Sequence, residues 1–573
     1  MSNIRTRNLL NKTPAKEQET IEPQPSLTRA ADTKATIEES DSGVGLSGRR
    51  WWLASIAILI VAAGLRFTYL ESKPLHNDEG VNGNFMTQLF REGYYRYDPE
   101  NYHGPSLYYL ALITSKVNAL LYGKAGLSTV SLRIVPAIFG VGILWLILQL
   151  RRYLGSYGTL GAAVLVALSP GAVYFSRYFI HEIPFVFFTL GIVVAALRYY
   201  ETTRPIYLML GAACAALLVA TKETSIISIA VLGLAYACAV LYQAWRKTWG
   251  RGEQKASARK SRVRASRGDE HIEDNPQEEL VARFGGRRRL AVLLLIALVL
   301  FLSIHVLLYS SFFTNFPKGI YDSVGTYRTW LGTGLTDDRH DIYTYLLWLW
   351  EEEMPSLLLG VAGFALALYR GNNRFVLFAG FWAMGILAAY SLIPYKTPWL
   401  TLNISIPLAI VGGYCIEEVY NKFRQSQRQR VRVALVGLAG IIVAVSAYQA
   451  IDISFFRYDD DSVAYVYAHT TRQIFSLLDK INEIVARGGK GEKTGIMITA
   501  PDYWPLPWYL REFPNAGYWG KVMTPTEEAM VIGEDTQETE LQQTLGDKYE
   551  RIGSYELRPG VTLIAYVRRD LQK

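Results

Sequence analysis

Long apolar runs separated by short polar segments dominate the chain from residue 51 to residue 450. About eleven of them approach the length of roughly 20 residues that an α-helix needs to cross a bilayer. We predict spanning helices over 51–70, 129–150, 157–175, 183–200, 205–221, 224–244, 290–309, 355–370, 374–393, 398–418 and 432–450. The pattern therefore predicts an all-α polytopic membrane protein.

A further apolar run, 106–121, is interpreted differently. It contains Lys116 and Asn118, which fit a position at the membrane interface better than one in lipid. Counting it as a full crossing would also move several basic loops to the opposite side of the membrane. We predict an interfacial or re-entrant helix within one long outer loop, 71–128.

The pattern changes after the last apolar run. Residues 462–486 have helical spacing, and short β-type runs follow, with helical stretches near 502–512 and 536–546. The β-type runs are 495–499, 530–532, 550–557 and 561–567. This predicts a small α/β domain over 453–573. Its aromatic segment WPLPWYLREF, 504–513, has two readings, a packing or membrane-interface segment and a platform for sugar stacking.

Charge sets the predicted orientation. The net charge is +8, and basic residues cluster at 151–152, 246–289, 370–374 and 422–432. By the positive-inside rule these loops face the cytoplasm, so the domain 453–573 is extracytoplasmic and the protein lies in the plasma membrane. Basic loops between spans are ordinary topogenic signals, so no nucleic-acid partner is predicted.

The N-terminal residues 1–48 are polar and lack hydrophobic periodicity, which predicts a disordered cytoplasmic tail. The membrane domain then covers 49–452, with a basic cytoplasmic loop at 245–289. The three cysteines, Cys214, Cys238 and Cys415, all fall in apolar runs. They indicate neither a disulfide framework nor a cysteine-rich metal site.

The predicted outer face collects the residues that could carry chemistry. Asp78 and Glu79 follow the first span directly and form a pair of carboxylates at the membrane surface. Basic residues predicted on the same face are His103, Arg177, His181, Lys222, His340 and Lys396. Such a set suits transfer of a sugar from a polyprenyl phosphate, in which a carboxylate accepts the proton of the attacking hydroxyl. Cations would stabilise the charge that grows on the leaving phosphate.

Plainer interpretations stay open for each residue. Asp78 and Glu79 could cap a helix, and Arg177 could form an interfacial ion pair with Glu182. Lys396 could extend its stem along apolar surface, and His340 could belong to a polar loop. The sequence specifies no cofactor. A divalent metal at Asp78 or Glu79, with help from Asp98, Glu100 and His103, is an alternative that it leaves open.

Together these motifs resemble a known family. HGPSLYYL, SLRIVPAIFG, LSPGAVYFSRYFIHE and YKTPWLTLNISIPL, in this order after the Asp-Glu pair, resemble the polytopic GT-C glycosyltransferases. These include protein O-mannosyltransferases and the aminoarabinose transferases that modify lipid A. The tail motifs WPLPWYLRE and YELRPGVTLIAYVR resemble most closely the flippase-activity-associated family of archaeal N-glycosylation clusters. The resemblance covers about residues 50–570.

The resemblance implies roles for particular residues. It makes Asp78 the general base and gives Glu79 an assisting or acceptor-orienting role. His103 stands where relatives place a basic residue near the lipid phosphate, and Lys396 matches a late basic residue that meets the donor. Tyr102 stands where some relatives have a carboxylate, which weakens the case for a metal site of that pattern.

These residues and the other polar residues predicted on the outer face together form one predicted site. The donor phosphate would meet His103, Arg177, Lys222, His340 and Lys396, supported by Asp98, His181 and Glu182. The predicted function is transfer of a sugar from a polyprenyl-phosphate donor to a glycan, lipid or protein acceptor on the outer face of the membrane. Two alternatives remain: a flippase of lipid-linked sugars or its accessory protein, and a non-catalytic scaffold.

Overall fold

A computed structural model describes residues 45–100, 103–261, 281–333, 340–425 and 428–572. The predicted cytoplasmic tail, 1–48, lies almost entirely outside these residues, and so does the middle of the predicted basic loop 245–289. Residues 48–572 belong to one unit of the fold.

Helices form most of this unit because its apolar runs contain strong helix formers and end at glycine, proline or polar residues. The helices of the membrane region are α1 Gly48–Phe67, α2 Asn77–Glu92, α3 Ser106–Tyr122, α4 Thr129–Leu148, α5 Arg151–Leu154, α6 Ser156–Ala167, α7 Pro170–Phe175, α8 Glu182–Thr202, α9 Pro205–Val219, α10 Ser225–Ser261, α11 Arg287–Tyr309, α12 Lys318–Thr333, α13 Thr344–Glu352, α14 Met354–Arg370, α15 Arg374–Leu392, α16 Leu402–Gln425 and α17 Gln429–Ile451.

Eight helices among the described residues are long and apolar enough to cross a membrane. They are α1, α4, α8, α10, α11, α15, α16 and α17. The consecutive helices α13 and α14, bent by 111°, form a ninth span if they are counted together. The chain is therefore a multi-pass membrane protein, as predicted.

The predicted count of about eleven spans is not reached in the described residues. The run 157–175 is divided between α6 and α7, because Pro170 cannot donate the backbone hydrogen bond that would continue the first helix. The run 205–221 forms α9, which has 15 residues. The run 106–121 forms α3, which packs against α2 and α4. Its interfacial placement stays a prediction.

The C-terminal region contains a five-stranded sheet, as expected for a small α/β domain. Its helices are α18 Gln473–Gly488, α19 Leu506–Tyr509 and α20 Glu538–Leu545, and its strands are β1 Ile496–Ile498, β2 Ala516–Tyr518, β3 Met530–Glu534, β4 Tyr549–Arg558 and β5 Val561–Arg568. The order is β2-β1-β3-β5-β4. Strand β1 is parallel to β2 and β3, whereas β5 is antiparallel to β3 and β4.

Two details of this domain differ from prediction. Strand β2 was not predicted, because its sequence AGY has a glycine and no β-branched residue, whereas the equally short β1 has two isoleucines. Helix α18 begins at Gln473 rather than near 462. It packs on the sheet through a stripe of four buried side chains at helical spacing, Ile474, Leu477, Ile481 and Ile484.

The aromatic segment 504–513 joins this domain to the membrane region. Trp508 is 1% exposed and lies in the same apolar cluster as residues of α2, α3 and α4. A Cβ atom added to Gly83 would lie 2.7 Å from the Trp508 ring, so only glycine permits this approach. The structure thus supports the packing interpretation of Trp508.

Candidate functional site

Helix α2 carries the two predicted catalytic carboxylates in its first turn. His76 precedes the helix with an extended backbone and caps it. The backbone N–H of Asp78 donates to His76 Nδ1 over 3.1 Å, and the backbone N–H of His76 donates to Glu79 Oε2 over 3.0 Å. This reciprocal capping box fixes the direction of the first turn. Asp78 and Glu79 consequently point to different sides of the helix.

Glu79 lies in a dry, fully bonded environment. It forms an ion pair with Arg133 of α4 at 2.6 Å, and both side chains are 0% exposed. Glu79 Oε1 also accepts from the backbone N–H of Phe179 over 2.7 Å. Burial opposes the charge on Glu79, but Arg133 outweighs it and lowers the pKa of this carboxyl. Glu79 therefore stays ionised and holds three segments together.

Arg133 extends this connection to the loop before α2. Its guanidinium donates to the backbone carbonyls of Leu70, Lys73 and Pro74 at 2.6, 3.0 and 2.9 Å. A buried charge is tolerated when it is paired and hydrogen-bonded. The pair thus anchors both the loop and the helix that present Asp78.

Asp78 has the opposite environment. Its half-buried side chain borders a cavity of about 310 Å³, which we call the Asp78 cavity. The residues that line it are Asp78, His103, Lys222, Glu223, Thr224, Trp330, Tyr345, Tyr390, Ile393, Tyr395, Thr397, Trp399 and Leu400. Among the described side chains, only Asn77 donates to the Asp78 carboxylate, over a long 3.5 Å. Asp78 can therefore accept a proton from a molecule in this cavity.

A smaller cavity of about 160 Å³ adjoins this one, and we call it the side chamber. It shares Asp78, His103 and Trp399 with the Asp78 cavity, and its other lining residues are Val81, Asn82, Ile180, His181 and Glu182. The spacing of Asp78 and Asn82 places them one turn apart on the same face of α2. Asp78 thus stands at the junction of two spaces.

Four ionisable side chains that line the two cavities together with Asp78 form one connected group. Lys222 Nζ forms an ion pair with Glu182, and His103 Nδ1 lies 2.9 Å from Glu223. Burial opposes the charge on Lys222, but Glu182 and Glu223 outweigh it and raise the pKa of this lysine. Burial likewise opposes the charge on Glu223, but His103 and Lys222 lower its pKa to about 2. Lys222 and Glu223 therefore both remain charged at neutral pH.

His181 lies beside this group but carries no charge. Its ring meets that of His103 edge-on at 5.2 Å between centroids, and its Nε2 lies 3.2 Å from the Gly104 carbonyl oxygen. Burial lowers the pKa of His181 well below its usual range, and His103 and Lys222 act in the same direction. His181 is thus a neutral wall of the side chamber.

Three of the predicted phosphate-binding residues, Arg177, Lys396 and His340, line neither cavity. Arg177 donates to the carbonyls of Leu65, Thr68 and Tyr69 at the end of α1, not to Glu182. It lies at the same end of the helical bundle as Asp78, because the adjoining Phe179 bonds to Glu79. The predicted convergence of cations therefore includes His103 and Lys222 but not Arg177.

Lys396 and His340 lie beside the Asp78 cavity. Lys396 Nζ donates to the carbonyls of Ser391 and Ile393 at 3.0 and 2.6 Å, where α15 ends. A cation at this position interacts favourably with the helix dipole. His340 is exposed, and its backbone N–H donates to the Pro394 carbonyl over 3.2 Å.

The residues considered for a metal do not assemble around one. Within the part of the chain that the structure describes, no group of three His, Cys, Asp or Glu side chains is placed to hold a metal ion. Both Glu79 oxygens already accept from Arg133. Asp98 accepts from the backbone N–H of Glu100 over 3.0 Å, which is a local turn contact.

Several residues of the site were not predicted as such. His76 was missed because histidine is not a typical N-cap residue, although Glu79 stands three residues later as in a capping box. Arg133 carried a usable signal, since an ionisable residue within an apolar span usually has a partner or a function. Trp399, in KTPWL, and Tyr345 and Tyr390 line the cavity, and the sequence offers no local signal for this.

Comparisons with known proteins agree with this architecture. The model of the dolichyl-phosphate-mannose-protein mannosyltransferase family matches residues 111–267. The solved structure of ArnT from Cupriavidus metallidurans bound to undecaprenyl phosphate is similar, with a TM-score of 0.59 and 15% sequence identity. The match covers 91% of this chain and 98% of that one.

A second similar structure is the archaeal oligosaccharyltransferase AglB from Archaeoglobus fulgidus, in complex with an inhibitory peptide and a dolichol-phosphate. Its TM-score is 0.52 at 12% identity, over 87% of this chain and 71% of that one. No curated protein sequence matches the chain significantly. The closer resemblance to the flippase-activity-associated family stays a prediction. The chain shares its fold with these two solved structures, which agrees with the fold that its sequence resemblance implied.

Proposed function

We propose that this protein transfers a sugar from a polyprenyl-phosphate donor to a hydroxyl group of a glycan, lipid or protein. The observation that carries the proposal is the position of Asp78. Its carboxylate borders a cavity that also contains His103 and Lys222, while the adjacent Glu79 is withdrawn into an ion pair. A proton acceptor and positive charge in one cavity are the parts that this reaction requires.

The chemical step uses these groups on opposite sides of the sugar. The acceptor hydroxyl gives its proton to Asp78 as its oxygen forms a bond to the anomeric carbon. The bond from that carbon to the phosphate oxygen breaks, and the phosphate leaves with the electron pair. Negative charge grows on the phosphate as it leaves, so His103 and Lys222 would stabilise it. The transition state has oxocarbenium character, as in glycoside hydrolysis.

Aromatic rings support a sugar site in the same place. Tyr345, Tyr390 and Trp399 line the same cavity as Asp78, His103 and Lys222. Such walls limit the access of water, which strengthens the electrostatic interactions inside. They would also protect the activated sugar from hydrolysis.

The similar proteins provide independent support for the donor class. One is described with undecaprenyl phosphate bound and the other with a dolichol-phosphate. The matching family model is named for dolichyl-phosphate-mannose. All three descriptions mention a long-chain polyprenyl-type phosphate, and this is the class of donor that we propose here.

We further propose that the site faces away from the cytoplasm. The basic clusters at 151–152, 246–289, 370–374 and 422–432 would lie in the cytoplasm. The domain 453–573, which packs near Asp78, would then be extracytoplasmic. A donor phosphate would reach the Asp78 cavity at the headgroup level of that leaflet.

The alternative of a flippase is less well supported. A translocation path needs ionisable groups along the membrane-spanning region. Arg66 and Arg133 are instead bonded within the protein, Arg66 to the carbonyls of Val166 and Ala167 at 3.1 and 3.2 Å. Arg198 bonds to Gln149 and Glu201. We therefore favour transfer.

Mass spectrometry of surface glycans and glycolipids tests the proposal in cells. A strain that lacks the gene should lose a defined sugar from one product, and the wild-type gene should restore it. The missing mass identifies the sugar, and the affected product identifies the acceptor. Identical glycan and glycolipid profiles with and without the gene would contradict the proposal.

A vesicle assay separates transfer from translocation. Purified protein is reconstituted with polyprenyl-phosphate mannose and with related donors that carry other sugars. Transfer releases free polyprenyl phosphate and a glycosylated acceptor. Movement of intact donor between leaflets, with no release of polyprenyl phosphate when acceptor-containing membrane extract is present, would favour the flippase instead.

A further inference from the structure

We infer that the C-terminal domain positions Asp78 and that His76 is the positioning residue through which it does so. This inference rests on the proposed function, because it concerns the residue that we propose as the general base. It assigns the domain 453–573 a part in the reaction centre of the membrane domain. The evidence is a set of contacts between this domain and the first turns of α2.

His76 joins the two parts by its two ring nitrogens. Its Nδ1 accepts from the backbone N–H of Asp78 over 3.1 Å. Its Nε2 lies 2.7 Å from the backbone carbonyl oxygen of Tyr467 in the C-terminal domain. A carbonyl only accepts, so Nε2 carries the proton and Nδ1 is free to accept. One neutral tautomer therefore satisfies both bonds at once.

The His76 ring is held on its remaining sides. It is 3% exposed, and it meets the rings of Trp399 and His469 at centroid distances of 5.9 and 6.0 Å. Trp399 lines both cavities, whereas His469 belongs to the C-terminal domain. A shift of the domain would therefore move His76, and with it the backbone of Asp78.

Other contacts hold the same turns of α2 against the domain. Arg558 donates to Asn77 Oδ1 over 3.2 Å, and the backbone N–H of Leu75 donates to the Tyr509 hydroxyl over 2.9 Å. A Cβ atom added to Gly80 would lie 2.4 Å from Pro505 Cβ. Gly80 and Gly83 are one turn apart, so the domain covers one face of α2 while Asp78 and Asn82 face the side chamber.

Three substitutions at His76 separate its two contacts. In His76→Asn the side-chain oxygen replaces Nδ1 as the cap but does not reach Tyr467. In His76→Gln the amide reaches toward Tyr467 but does not cap Asp78. His76→Ala removes both contacts. A misplacement of about 1 Å can cost roughly 100-fold in rate, so we expect His76→Ala to lower kcat about 10- to 100-fold with KM nearly unchanged.

The variants are compared by the release of polyprenyl phosphate by the full-length protein in vesicles. The values of kcat and KM are determined separately. His76→Asn and His76→Gln should each recover part of kcat. Arg558→Met, which acts from the C-terminal domain, should also lower kcat without raising KM. His305→Ala serves as a control, because His305 contacts Ser323 outside both cavities. A kcat of His76→Ala within about twofold of wild type, or a change confined to KM, would overturn the inference.

Hydrogen exchange of the Asp78 amide provides a readout that does not depend on activity. It should exchange faster in His76→Ala and His76→Gln than in wild type, but not in His76→Asn, since asparagine is an effective N-cap. If wild-type protein releases no polyprenyl phosphate from any donor, the proposed function fails, and the exchange pattern still decides the inference. Equal exchange in all four proteins would refute it. Should His76→Ala fail to fold, the asparagine, glutamine and Arg558 variants supply the same comparison.

Discussion

Asp78 and Glu79 are consecutive carboxylates in the same helical turn, yet their environments are opposite. Glu79 is 0% exposed and accepts from Arg133 and from the Phe179 backbone. Asp78 borders two cavities, and among the described side chains it accepts only a long bond from Asn77. The comparison teaches that an acidic pair in sequence can divide its work. One member builds the site, and the other remains available for chemistry.

The largest effect should come from Asp78→Asn. The amide keeps the shape of the side chain but cannot accept the proton, and a general base contributes roughly 100- to 10,000-fold to a rate. We expect a loss of transfer in that range with an unchanged thermal unfolding temperature, measured on the same purified sample. Glu92→Gln is the matched control, because Glu92 is exposed, ends the same helix and accepts from Gln88. Full activity of Asp78→Asn would remove the base assignment.

Glu79→Gln should act on stability rather than on chemistry. Removing one partner of a buried ion pair leaves the other charge uncompensated and typically costs about 3–5 kcal/mol. We expect a marked fall in the thermal unfolding temperature and in the yield of folded protein. The transfer rate per folded molecule should fall less than in Asp78→Asn.

A double variant sharpens this second prediction. Glu79→Gln combined with Arg133→Met removes both charges, so it should recover part of the stability that Glu79→Gln loses. Thermal unfolding of the four proteins, including Arg133→Met alone, completes a double-mutant cycle. A stable but inactive Glu79→Gln protein would contradict this assignment, because Glu79 would then act in the chemistry rather than in stability.

The smallest effect is expected at Lys396. Its ammonium already bonds to the carbonyls at the end of α15, and a cation there contributes about 0.3–1 kcal/mol through the helix dipole. Lys396→Met should therefore change kcat/KM in the transfer assay by less than about fivefold. Lys480→Met, on the surface of α18, is the control. A loss of donor binding as large as that caused by Lys222→Met would place Lys396 at the phosphate after all.

Much of the fold follows from local pattern. Apolar runs of sufficient length became helices, and four of the five strands coincide with β-type runs in the sequence. Failures occurred where a segment lacked strand-forming residues, as in β2, or where a break such as Pro170 divided a run. In these places the local signal was weak, and tertiary packing decided the result.

The site was predictable in part. The sequence indicates that Asp78 and Glu79 follow a spanning helix, and that His103 and Lys222 lie at the same end of the bundle. It does not indicate what a cation bonds to. Arg177 reaches backbone carbonyls more than 100 positions earlier, and Lys222 finds Glu182 40 positions away. The bonding partner of such a side chain depends on how the helices pack, and the local spacing of residues does not reveal this packing.

The most direct test of the central claim is the release of polyprenyl phosphate from a polyprenyl-phosphate sugar by wild-type protein and Asp78→Asn, side by side in vesicles. The account predicts release and acceptor glycosylation by the wild type, and loss of both in a variant that unfolds at the same temperature. Equal release by the two proteins would contradict it.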